Sequence, residues 1–217
     1  MKGDIILLQD WHIAAAHAIV NRIIDQINAK DSRYVISIAG ESGSGKSETA
    51  LAVSNELLSF GIKSLVLGQD DYFFLPPLLN SKKRREDPDW LGPHVEINFD
   101  LFEKNLIDAI NGKPELEKPM VDYHANTIES VSINLDSLKV IIAEGTYTSL
   151  LKHVDKKVFI NRDWKKTLED RRRRNRGNEV NDPYTEQVLA IEHKIIAGHK
   201  QLADFVITDD YEVIYID

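Results

Sequence analysis

The 217-residue chain has no cysteine, so no disulfide can staple it. It also lacks any run of about 18 apolar residues, the length a helix needs to cross a bilayer. The opening Met1-Lys2-Gly3-Asp4-Ile5 shows none of the charged start, apolar stretch and small-residue cleavage site of a secretory leader, so the expected location is the cytoplasm. Internal repeats and low-complexity tracts are absent. Positive charge is scarce as well: 27 Lys and Arg stand against 35 Asp and Glu, a formal net charge of −8. A broad nucleic-acid surface needs many cations to neutralise phosphates, so neither nucleic acid nor a membrane is an expected partner. A small anionic ligand needs only a local basic patch. Two such patches are present, Lys82-Lys83-Arg84-Arg85 and Arg171-Arg172-Arg173-Arg174 with Arg176.

With 42% hydrophobic residues the chain can bury one substantial core, and a single domain over residues 1–217 is expected. Apolar β-rich runs at Ile36–Ala39, Ser64–Leu67, Val140–Ala143, Val158–Ile160 and Phe205–Ile207 are separated by segments long enough for crossover helices. That alternation predicts an α/β fold with a parallel sheet. Residues 1–30 form an N-terminal helical element, with Ile13, Ala16, Ile19, Val20, Ile23, Ile24 and Ile27 on one apolar stripe. A further helix starts at Asn98-Phe99-Asp100 and closes at Gly112 and Pro114, and residues 75–93 read as a long excursion off the sheet.

The most informative stretch is Gly40-Glu41-Ser42-Gly43-Ser44-Gly45-Lys46-Ser47, a complete G-x-x-x-x-G-K-S phosphate-binding loop. Glycines at this spacing let backbone N–H groups turn inward around phosphate oxygens without a Cβ in the way. Lys46 reaches the β/γ-phosphates, Ser47 offers a hydroxyl to Mg²⁺, and the following helix adds its N-terminal partial charge, which brings Glu48 into the same region. The flanks agree: an apolar run from Tyr34 precedes the loop, and Ala50, Leu51, Val53, Leu57 and Leu58 recur at helical spacing until Gly61. A flexible Gly/Ser linker is the plainer alternative, and that ordered context argues against it. A dinucleotide fingerprint fails, because its last glycine would fall on Glu48. The expected ligand is therefore a nucleoside triphosphate with Mg²⁺.

Two strand ends deliver carboxylates. Gly68-Gln69-Asp70-Asp71-Tyr72-Phe73 follows the second run, and Glu144 follows the third. Ligands of open α/β sheets bind at that edge. An acid there can accept a proton from a substrate hydroxyl or serve Mg²⁺, which makes Ser47, Asp70 and Glu144 the candidate metal ligands; Asp70-Asp71 capping a turn is the plainer reading. Residues 164–180 read as a lid whose arginines close over the transferred phosphoryl group, the alternative being a surface helix paired to Glu169 and Asp170.

In this order, the loop, Gln69-Asp70-Asp71-Tyr72-Phe73, Ile142-Ala143-Glu144-Gly145 and an Arg-rich lid, the motifs resemble the uridine kinase and phosphoribulokinase group of P-loop kinases over roughly residues 34–207. The resemblance implies a P-loop NTPase fold with a five-stranded parallel sheet flanked by helices and an Arg-rich lid. It implies transfer of the γ-phosphoryl of ATP to a hydroxyl of a small molecule, with Asp70 as the base and Lys46, Arg171, Arg174 and Arg176 on the transferred group. Gly40, Ser42, Gly43, Ser44, Gly45, Lys46, Ser47 and Glu48 would hold the nucleotide. Tyr72, Phe73, His94, Tyr123, His124 and Asn126 would face the acceptor. Where uridine kinases usually carry a His-Ser/Thr-Arg triplet, this chain has Asn126 and Ile128. Trp90-Leu91-Gly92-Pro93-His94 with Phe99-Asp100-Leu101 is similar to the corresponding stretch of phosphoribulokinases. Uridine or cytidine is the first expected acceptor, and a sugar phosphate or vitamin precursor the alternative. A nucleotide-dependent switch is the reading from another class, and a homo-oligomer is compatible with the helix faces.

Overall fold

The run Tyr34–Gly40 forms strand β1, and all seven of its residues are buried. In the computed structural model, which describes residues 6–168, 171–172 and 182–216, β1 lies between β5 (Leu138–Glu144) and β6 (Lys156–Ile160), parallel to both. A strand covered on both sides reads as a continuous apolar run. Its alternating side chains feed two core layers. Tyr34, Ile36 and Ile38 face helices α1 (Asp10–Ala29) and α2 (Lys46–Ser59), while Val35 and Ala39 face α4 (Phe99–Ile110).

The sheet has the order β2-β5-β1-β6-β7-β8, with β2 at Lys63–Gly68, β7 at Phe205–Ile207 and β8 at Val213–Tyr215. The first five strands in that order are mutually parallel and correspond to the five expected runs. The sixth, β8, runs antiparallel on β7. The sheet is therefore larger by one strand than the expected five. The chain reverses at Tyr211, whose φ is 62°, and Thr208 N–H donates to the Glu212 carbonyl across the turn. So short a strand carries little periodic signal of its own.

Two further elements depart from expectation. Residues 115–134, to which the sequence pattern assigns no element, form an antiparallel hairpin of β3 (Glu115–Asp122) and β4 (Thr127–Asn134). Leu116 and Lys118 are buried on one face of β3 and Val121 on the other, and Pro119 lies between them. Within the excursion at 75–93 lies helix α3 (Pro77–Glu86), opened by a proline in its first turn and carrying i,i+4 pairs from Lys82 to Glu86 and Lys83 to Asp87. The last helix, α5, spans Pro183–Ile196.

Helix ends follow their local chemistry. The Asn98 side chain accepts from Leu101 N–H at the start of α4. At the end of α2, Gly61 takes a φ of 75°, and Ile62 N–H and Gly61 N–H return to the carbonyls of Leu57 and Leu58. The stripe of α1 is buried as expected at Ala16, Ile19, Val20, Ile23 and Ile27; His12 and Ala15 join it, whereas Ile13 is exposed. Among the described residues no helix is long and apolar enough to cross a membrane.

Candidate active site

The loop between β1 and α2 is a backbone cradle. Gly45 sits at φ +94°, and a Cβ there would come within 2.5 Å of the Tyr211 hydroxyl and 3.0 Å of His12 Nε2. Gly43 sits at φ +77°, where a Cβ would fall 2.7 Å from Arg171 Cγ. Only glycine combines that φ with that proximity. Lys46 Nζ donates to the Glu41 carbonyl at 2.8 Å, inside the loop it follows.

Neighbouring elements brace the loop. The Tyr211 hydroxyl donates to the Ser44 carbonyl at 3.1 Å and lies 3.1 Å from His12 Nε2 and 3.0 Å from Arg162 Nη1. From the other side, Glu41 Oε1 is 2.7 Å from His193 Nδ1 on α5, and Glu41 Oε2 accepts from Trp164 N–H at 2.7 Å. The N-terminal helix, expected only to pack, thus reaches the phosphate-binding loop through His12.

The strand ends separate their carboxylates. After β2 the chain tightens into a 3₁₀ turn at Gln69–Tyr72. Asp70 lines a cleft of about 490 Å³ together with Ser42, Lys46, Ser47 and Glu144. Asp71 points the opposite way, buried against Lys118 Nζ at 2.5 Å and accepting from Val121 N–H at 3.0 Å. Gln69 accepts from Tyr147 N–H at 2.8 Å, which ties the ends of β2 and β5 together. Ser47 Oγ stands 3.5 Å from Glu144 Oε1.

The sequence-expected acceptor residues divide. Phe73 and Tyr123 line the cleft. Tyr72 is fully buried, stacked on Phe102 at 4.2 Å with its hydroxyl accepting from Asn105, so it belongs to the core. His94 and His124 are exposed and lie outside the cleft lining. Asn126 takes a φ of 55° at the tip of the β3–β4 hairpin and accepts from Leu78 N–H at 2.8 Å, tying the hairpin to α3. Glu48 is buried in the first turn of α2.

Of the expected lid arginines, Arg171 is buried beside Gly43. Its Nη2 donates to the Trp164 carbonyl at 3.3 Å and stands 3.6 Å from Glu186, while Nε and Nη1 have no hydrogen-bond partner among the described residues. Arg174 and Arg176 lie outside the described residues.

Helices α3 and α5 supply a wall that residue spacing left unassigned. Arg84 turns inward, its Nε 2.6 Å from Glu96 Oε2 and its Nη2 3.9 Å from Glu192 Oε1. Glu96 is completely buried and also accepts from Asn80 and from Gly92 N–H. Burial pushes the Glu192 carboxyl up to about 7, against the pull of Arg84. The buried Tyr147 phenol is raised far above its usual range, first by burial and then by the charges of Glu192 and Glu96. A signal for Glu192 was present: an acid within Val188, Leu189 and Ile196, the buried apolar positions of α5.

The residues fit a nucleoside triphosphate. The glycine cradle would be filled by any Cβ, and a buried guanidinium with two unpartnered nitrogens lies against it. The mostly parallel sheet, the loop after β1 and the acids at the ends of β2 and β5 define a P-loop kinase of small molecules. The chain belongs to the phosphoribulokinase / uridine kinase family, whose model matches residues 35–208. It is 31% identical over 185 residues to a uridine kinase of Staphylococcus epidermidis, covering 81% of this chain and 87% of that protein. It is 28% identical over 194 residues to a bifunctional alpha-galactosidase/sucrose kinase of Mediterraneibacter gnavus, covering 84% of this chain but 21% of that protein. The fold matches phosphoribulokinase from Rhodobacter spheroides with a TM-score of 0.60 at 12% identity, over 82% of this chain and 71% of that one. The family uses ATP and Mg²⁺.

Proposed function

We propose that the protein phosphorylates a hydroxyl of a small molecule, with uridine or cytidine as the first candidate acceptor, and that its whole length works as one kinase domain. The observation that carries this reading is Asp70, which shares one cleft with Lys46, Ser47 and Glu144. Bound Mg·ATP supplies the phosphoryl group and neutralises charge on its oxygens. The protein's part is positioning and proton transfer. The loop backbone and Lys46 hold phosphate oxygens, while Ser47 and Glu144, with Asp70 close by, would hold the metal ion. Asp70 then accepts the proton of the acceptor hydroxyl as that oxygen becomes the nucleophile. A nucleotide switch needs only a water-positioning group, and a carboxylate facing an organic-sized cleft speaks for an acceptor instead.

A second reading, a free sugar as acceptor, draws on the hairpin tip. His124 and Asn126 stand nearest the family's nucleoside-reading triplet, yet both lie outside the cleft lining, and Asn126 is engaged by α3. The sucrose kinase relative agrees with this reading. The test is ADP release with Mg·ATP against uridine, cytidine, free sugars, sugar phosphates, glycerate and pantothenate, with Lys46→Ala as the blank. Stimulation by a nucleoside supports the first reading and by a free sugar the second; silence across the panel returns the switch.

A further inference from the structure

Three described cations line the cleft: Lys46, Arg84 and Arg85. Lys46 belongs to the phosphate-binding loop. The other two are engaged. Arg84 is held by wholly buried Glu96 and approached by Glu192, and Arg85 pairs with Asp182 while lying over the Tyr184 ring at 4.2 Å. The wall built by α3 and α5 thus sets two arginines against three carboxylates. An acceptor bearing a phosphate or carboxylate would find no net positive charge there. Among the described residues, gaining a cation from this wall means breaking the Arg84–Glu96 pair, which leaves Glu96 charged and buried, or the Arg85–Asp182 pair.

The same wall suits hydroxyl groups. A carboxyl oxygen accepts from a hydroxyl, and Glu192 borders the cleft with the Arg84 guanidinium 3.9 Å from its Oε1. Tyr147, 1% exposed, also lines the cleft, and its hydroxyl has no hydrogen-bond partner among the described residues. A buried hydroxyl without a partner costs free energy unless a ligand or water satisfies it. Phe73 and Tyr123 add faces against which the C–H groups of a ring can pack.

Resting on the kinase reading, we infer that Glu192, oriented by Arg84, and the Tyr147 hydroxyl form an acceptor subsite that binds hydroxyls of an uncharged polyol and excludes acceptors already carrying a phosphate or carboxylate. Arg84 is here a positioning residue; Glu192 and Tyr147 touch the acceptor.

The experiment is calorimetric titration of the full chain, loaded with Mg²⁺ and a non-hydrolysable ATP analogue, with uridine, cytidine, glucose, fructose and sucrose, and in parallel with ribulose 5-phosphate, glycerate and pantothenate. Binding of at least one uncharged polyol, with every anionic compound at least tenfold weaker, is the expected result. Glu192→Gln and Tyr147→Phe should each weaken that polyol about tenfold while the affinity for the ATP analogue stays within twofold, a split that a folding defect would not produce. Tighter binding of an anionic compound overturns the inference, as does binding of none or an unchanged polyol affinity in both variants. A polyol that binds but is never phosphorylated when ATP replaces the analogue would leave the subsite standing and sink the kinase reading.

Discussion

Asp71 and Lys118 form a closed ion pair at 2.5 Å, with both side chains almost wholly shielded from water. The pair joins the turn after β2 to the β3–β4 hairpin, and it is the reason the neighbouring Asp70 alone is turned to the cleft.

Removing one partner leaves the other charge buried without compensation. Lys118→Met is expected to cost about 3–5 kcal/mol, measured as a drop in the denaturant midpoint. The paired change Asp71→Asn with Lys118→Met should recover a good part of that loss, because no charge is then stranded. An unaltered midpoint in Lys118→Met would show that the pair does not hold the hairpin.

Asp70→Asn keeps the shape of the side chain and removes its basicity. Turnover should fall by roughly 10² or more while affinity for Mg·ATP changes little, read from steady-state rates and a nucleotide titration. Full turnover would take Asp70 out of the proton transfer.

At Gly45 an alanine would have to hold a φ of +94° with its Cβ 2.5 Å from the Tyr211 hydroxyl. Left-handed backbone costs an ordinary residue about 1–2 kcal/mol, so Gly45→Ala should weaken ATP-analogue binding by roughly tenfold. Combining it with Tyr211→Phe, which removes the oxygen, should restore part of the affinity if contact adds to the backbone strain.

The acid Glu192 ties stability to pH. Its carboxyl rises from an ordinary 4.5 to about 7 on folding, so the folded protein holds this proton more tightly than the unfolded chain. Its contribution is fully present below about pH 4.5 and is lost as pH rises through about 7. Melting scans of the unliganded protein and of Glu192→Gln should therefore diverge between pH 5 and 8, with the Gln variant gaining relative to the parent as pH rises, by about 3 kcal/mol at most. Parallel profiles would mean that Glu192 carries its charge at no cost.

Much of this protein was determined by local pattern alone. The loop from Gly40 to Ser47 needs its glycines and lysine at fixed chain spacing, and β1 and β5 are apolar without a break because both faces are covered, so the parallel sheet and the position of Glu144 at a strand end follow from neighbours along the chain. What only the tertiary structure decided depends on direction and on partners distant in sequence. Asp70 and Asp71 are equivalent as letters; a 3₁₀ turn and Lys118, 47 residues away, send one to the cleft and the other into the interior. Arg84 and Arg85 belong to a basic run that fits a solvated face, and Glu96 and Asp182 engage them in the cleft wall. His12 and Tyr211, 199 residues apart, meet at the phosphate-binding loop. Spacing along a chain fixes which side chains share a face of their own element, whereas a buried charge takes its place from whichever counter-charge the packed chain brings within reach.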